Sequence, residues 1–151
     1  MLNLLQELAS IVDTISAENI SYAICGGLAM SVHGFTRATE DIDLFVRGED
    51  VDRIERAVEP LGYVVKAKPM NFSGGAMKIR RVSKTDPTDG DVLTLDLLLV
   101  TEASSSAWET REVREWNGRN ISVVSREGLI LLKQFRSNDQ DLVDIARLED
   151  E

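Results

Sequence analysis

Gly26-Gly27-Leu28-Ala29-Met30-Ser31-Val32-His33-Gly34-Phe35-Thr36-Arg37-Ala38-Thr39-Glu40-Asp41-Ile42-Asp43-Leu44 is the stretch on which the reading of this chain turns. It opens after a short apolar run, Ile20 to Cys25, rich in strand formers, and the glycine pair closes that run before a helix-compatible segment, residues 28–33. It ends in Asp41 to Val46, where acidic and apolar residues alternate with period two. In a strand, alternate side chains share a face, so Asp41 and Asp43 project together while Ile42 and Leu44 enter the opposite side. The two acids start about 6.5–7 Å apart along the strand, within reach of one hard cation or a pair of them. Unshielded, they repel one another; a divalent ion removes that repulsion and supplies positive charge at a transferring phosphate.

Working outward, Leu4, Leu5, Leu8, Ile11, Val12 and Ile15 recur at helical spacing and predict an amphipathic helix over residues 2–16. Residues 48–61 predict a second, with Val51, Ile54, Val58 and Leu61 on one side and Gly62 as its stop. Further strands are expected at 63–65, 76–82 and 92–100, separated by turns at 73–75 and 85–90. The last of these strands is the most apolar and should lie centrally. Asn117-Gly118 between residues 112–116 and 120–124 signals a hairpin. Ser125 is placed to cap a helix carrying Leu129, Leu132, Lys133 and Arg136. A final helix from about Asp139 carries Leu142, Ile145 and Leu148 at three-residue steps. Interspersed strands and helices predict an α/β or α+β sheet with helices packed against it.

Composition bounds the rest. At 151 residues and 43% hydrophobic, the chain suits one domain with a real core. No apolar run approaches the roughly 18 residues that span a bilayer, and no export signal is visible. The only cysteine, Cys25, has no internal partner for a disulfide, and its apolar setting suits a reducing compartment, so a cytoplasmic location is expected. A formal charge of −9 argues against coating nucleic acid by bulk electrostatics, so any RNA contact must be local.

Asp96 stands alone as an acid in the greasy run 93–100. Beside the Asp41 strand it could complete a metal site and ready an attacking hydroxyl; otherwise it sits at an exposed strand end or pairs with a base. Gly26-Gly27 lets backbone N–H groups approach phosphates at a helix start, although a glycine pair alone is more often a turn. Arg37 reads either as a planar phosphate fork or as a partner of Glu40 or Asp41. Thr39 reads as a cap on the loop entering the acidic strand. His33 reads as a structural hydrogen bonder and Trp108 and Trp116 as packing residues.

In its ordered combination of glycine pair, His-Gly, Arg-x-Thr and Asp-x-Asp, the chain resembles the polymerase-beta-like nucleotidyltransferases, and especially the small AbiEii-like proteins of toxin–antitoxin systems. Leu132-Lys133-Gln134-Phe135-Arg136 and Asp141-Leu142-Val143-Asp144-Ile145 also look like the helical ending of AbiEii-type relatives. The resemblance implies a nucleotidyltransferase fold and transfer of an NMP group from an NTP such as ATP to a hydroxyl. It places Mg²⁺ (or Mn²⁺) on Asp41, Asp43 and Asp96, and the nucleotide phosphates on Gly26, Gly27, Arg37, Thr39 and Lys133, with Asp141 orienting that lysine. The implied acceptor is RNA or protein, with a cognate toxin or antitoxin as partner and no membrane. A small-molecule, antibiotic-type transferase and a non-catalytic binding module of the same fold are the alternatives. Many members carry serine after the first glycine; Gly27 departs from them.

Overall fold

The computed structural model describes residues 1–35 and 39–150. Its described residues form six helices and eight strands, the strands joined in one mixed sheet. The helices are α1 (Leu4–Ala17), α2 (Gly26–Val32), α3 (Val51–Val58), α4 (Ser105–Glu109), α5 (Arg126–Arg136) and α6 (Asp139–Glu149). The strands are β1 (Ala23–Cys25), β2 (Asp41–Arg47), β3 (Val65–Lys66), β4 (Met70–Phe72), β5 (Met77–Thr85), β6 (Val92–Val100), β7 (Glu112–Trp116) and β8 (Arg119–Val123).

The strand order is β3-β5-β6-β2-β1-β8-β7, with β4 sharing β5 alongside β3. The apolar run expected to be central is β6, inside the sheet between β5 and β2. It lies parallel to β2 with Asp43 opposite Asp96 and Asp41 opposite Thr94. Strand β1 runs antiparallel to β2 and sets Cys25 beside Asp43. Because Gly26 follows Cys25, this register brings the glycine pair, Asp43 and Asp96 together across three adjacent strands.

Local chemistry fixes the ends of the elements. Asn3 caps α1 by accepting the Gln6 amide at 3.0 Å. Ser125 caps α5 as expected, accepting the Gly128 amide at 3.0 Å. At α6, Asn138 and Asp141 form a reciprocal box, each side chain accepting the other's amide at 2.8 and 3.2 Å. The Asn117-Gly118 hairpin has both central residues at positive φ, as a tight two-residue turn between right-twisted strands requires. Helix α1 packs on α3, while α5 packs against α2, α4 and α6.

Several boundaries differ from expectation. The helix expected over 48–61 is α-helical only at Val51–Val58, flanked by single 3-10 turns at Gly48–Asp50 and Glu59–Leu61, the latter carrying Pro60. The strand expected at 63–65 is the two-residue β3, and β4 and α4 were not anticipated. On α6, Leu142 is exposed while Asp141 and Asp144 are buried with Ile145 and Leu148, because this helix turns its inner face to a charged centre.

Candidate active site

A cavity of about 330 Å³ opens where α2, β2, α5 and the start of α6 meet. Gly26, Gly27, Thr39, Glu40, Asp41, Asp43, Lys133, Arg136, Asn138 and Asp141 line it. Asp41 is at the exposed start of β2, whereas Asp43 is buried, and its Oδ1 has no hydrogen-bond partner among the described residues. A buried acceptor without a donor is costly. Burial, reinforced by the neighbouring charge of Asp96, pushes the Asp43 carboxyl up to about 7. Asp41, exposed as a residue but with its carboxyl partly withdrawn from water by the cavity wall, is also raised, by that desolvation first and by Asp96 second.

Gly26 makes this arrangement possible. Its φ is +66°, and a Cβ there would fall 2.0 Å from Asp43 Oδ2, so only glycine admits the carboxylate so close to the backbone. Together, the unpartnered oxygen, the second acid two residues away and the raised carboxyls fit a divalent cation at Asp41 and Asp43.

Asp96 shares the strand register and is 1% exposed. Its two oxygens are taken by Arg81 of β5, with Nε at 2.7 Å from Oδ1 and Nη2 at 3.0 Å from Oδ2. Among the described residues no three His, Cys, Asp or Glu side chains stand preassembled around one metal position. Asp96 therefore neighbours the Asp41–Asp43 pair with a guanidinium already on it. Sequence reading missed Arg81, although a basic residue on the strand facing an isolated buried acid is the partner that such an acid demands.

Lys133 is 5% exposed at the cavity wall. Its Nζ lies 2.9 Å from Asp144 Oδ2 and 3.6 Å from Asp141 Oδ1. Gln140 donates to the other Asp144 oxygen at 2.9 Å. The closer partner, Asp144, was not singled out from sequence; the acids at 141 and 144, three residues apart on a helix and facing one lysine, were the available signal. Thr39 lines the cavity, and its hydroxyl donates to the Asp41 carbonyl at 3.3 Å. Arg37 lies outside the described residues. His33 has the structural contact expected of it, Nε2 at 2.8 Å from the Val124 carbonyl. Trp108 packs edge-on against Phe45, with ring centroids 5.7 Å apart.

The family profile of aminoglycoside-2''-adenylyltransferase matches residues 7–148. The chain belongs to that family. Family membership makes it a nucleotidyltransferase, the superfamily expected from the glycine pair and Asp-x-Asp. No curated protein sequence matches the chain. Its fold is shared with solved structures at 18% identity. The lincomycin-bound lincosamide antibiotic adenylyltransferase LnuA has a TM-score of 0.59, with 95% of each chain covered. ANT(2'')-Ia in complex with adenylyl-2''-tobramycin has a TM-score of 0.63, covering 95% of this chain and 86% of that one. A Thermotoga maritima protein assigned as a nucleotidyltransferase has a TM-score of 0.57, with 97% and 86% covered. No helix among the described residues is long and apolar enough to cross a membrane.

Proposed function

We propose that the chain, acting in the cytoplasm as one domain over residues 1–151, is a divalent-metal-dependent adenylyltransferase that moves AMP from ATP to a hydroxyl of a small antibiotic-type molecule. The observation that carries the reaction is the buried, unpartnered Asp43 Oδ1 beside Asp41 and the glycine pair. The acceptor class rests on the family match across residues 7–148, and the antibiotics bound by similar folds support it.

Asp41 and Asp43 would hold Mg²⁺ or Mn²⁺, which when bound neutralises both carboxylates and the phosphate oxygens of the nucleotide. Gly26 and Gly27 offer a backbone without side chains to the phosphates, and Lys133, held by Asp141 and Asp144, offers them a remaining N–H of its ammonium. Thr39 borders the nucleotide from the cavity wall. Asp96 takes the proton of the attacking hydroxyl, a step that requires Arg81 to yield one of its two hydrogen bonds. The acceptor oxygen bonds to the α-phosphorus as the bond from that phosphorus to the bridging oxygen breaks, and pyrophosphate leaves with the electron pair. Catalysis on this account is positioning and charge compensation.

A second reading, AbiEii-like transfer to RNA or protein in a toxin–antitoxin pair, is favoured by the Leu132–Arg136 and Asp141–Ile145 segments. The two separate by acceptor. With ATP labelled at the α-phosphorus and Mg²⁺, the chain should label members of a panel of aminoglycosides and lincosamides, and Asp43→Ala should not. Label entering RNA or protein while the whole panel stays unlabelled would favour the second reading. Nucleotide binding with no transfer to any acceptor would leave a binding module.

A further inference from the structure

Among the described residues two cations line the cavity, Lys133 and Arg136, and their circumstances differ. They lie three residues apart on α5, so both approach from the same side of that helix. The Lys133 ammonium is compensated inside the protein by Asp144 at 2.9 Å and Asp141 at 3.6 Å. The Arg136 guanidinium, half-buried at the end of the helix, makes no hydrogen bond or ion pair with any described residue. Its charge is felt across the cavity, where it counts among the influences that lower the Asp43 and Asp41 carboxyls. Once a divalent cation compensates those acids, that guanidinium has no counter-charge left among the described residues, while its planar fork of donors matches phosphate oxygens.

We propose that Arg136 binds the leaving pyrophosphate portion of the nucleotide, with Lys133 as its internally neutralised neighbour. The inference rests on the nucleotidyl-transfer reading and adds a residue to it. As the bond between the α-phosphorus and the bridging oxygen breaks and its electron pair passes to pyrophosphate, Arg136 donates hydrogen bonds to the oxygens gaining charge. No proton leaves the guanidinium. Position favours this end of the nucleotide: Asp41 and Asp43 flank the cavity from β2 and fix the transferring phosphate, and α5 supplies the cations from its own wall.

The test is calorimetric titration of the full chain with Mg²⁺ and, separately, ATP, inorganic pyrophosphate and AMP, using wild type, Arg136→Ala and Arg136→Lys. Loss of a charge-assisted pair predicts that R136A weakens ATP and pyrophosphate about 10- to 100-fold while AMP changes by no more than about 3-fold. R136K should fall between, since an ammonium lacks the fork. Equal melting temperatures of wild type, R136A and R136K exclude a folding artefact. The assignment is overturned by R136A binding ATP and pyrophosphate as wild type does, or by AMP weakening as much as pyrophosphate. A wild-type chain that binds none of the three overturns the nucleotidyl-transfer reading and the assignment with it.

Discussion

Replacing Asp43 by asparagine is expected to stabilise the metal-free protein at neutral and alkaline pH. In the wild type Oδ1 is buried without a donor, Asp96 stands opposite in register, and the carboxyl is pushed from 3.8 up to about 7, first by burial and then by that neighbour. Such a displacement corresponds to roughly 4 kcal/mol against the ionised form. Allowing for relaxation and for an amide that is itself imperfectly paired, a net gain of about 2–4 kcal/mol is expected for D43N near pH 8. The folded protein holds a proton between 3.8 and about 7 that the unfolded chain has released, so wild-type stability falls as pH rises through this window and the penalty is complete above it. The gain should therefore shrink toward about pH 4. Urea denaturation at both ends of the window, with and without Mg²⁺, measures this. Mg²⁺ should raise the stability of the wild type and leave D43N nearly unchanged. A D43N variant less stable than wild type near pH 8 without metal, or a wild type whose stability ignores both pH and Mg²⁺, refutes the reasoning.

Other consequences follow from the same geometry. Gly26→Ala forces a Cβ to within 2.0 Å of Asp43 Oδ2 at a positive φ, and should lose about 2 kcal/mol or more in denaturation together with transferase activity. Asp144→Asn removes the nearer counter-charge of the buried Lys133, leaving the Asp141 carboxylate at 3.6 Å as its ionic partner, and should cost about 3 kcal/mol; Lys133→Met in the same chain should recover much of it. Arg81→Met strips both hydrogen bonds from an acid that is 1% exposed and should cost about 3 kcal/mol at neutral pH, read as a lower urea midpoint that Mg²⁺ partly restores.

The parts of this protein legible in its sequence are those where one physical signal dominates. Asp41-Ile42-Asp43 alternates cleanly and becomes β2, and the long apolar run becomes the interior strand β6. Their adjacency was an assumption that only the register could supply, since no periodicity says which strands pair. Strands β3 and β4 hold two and three residues, too few for alternation to register, and α4 holds five, short of two turns. The last helix carries Leu142, Ile145 and Leu148 at three-residue steps, and Ile145 and Leu148 are buried, but its inner face also holds the acids Asp141 and Asp144 toward Lys133 and leaves Leu142 exposed. Arg81 and Asp144 were hidden for the same reason: each matters through a partner distant in sequence, and a single charged residue on a strand or helix otherwise reads as solvated surface. Acceptor identity was legible only as a set of alternatives, because the acids and glycines that hold a nucleotide are indifferent to what receives it.

The Asp43 oxygen, which no donor among the described residues satisfies, is the centre of the proposed cation site. Electron paramagnetic resonance of Mn²⁺ titrated into the nucleotide-free protein reads that oxygen's task directly. Wild type should remove the free-ion signal at stoichiometric protein, and D43N should leave it in place while remaining folded. Equal uptake of Mn²⁺ by both proteins, or none by the wild type, would contradict a cation site built on Asp41 and Asp43.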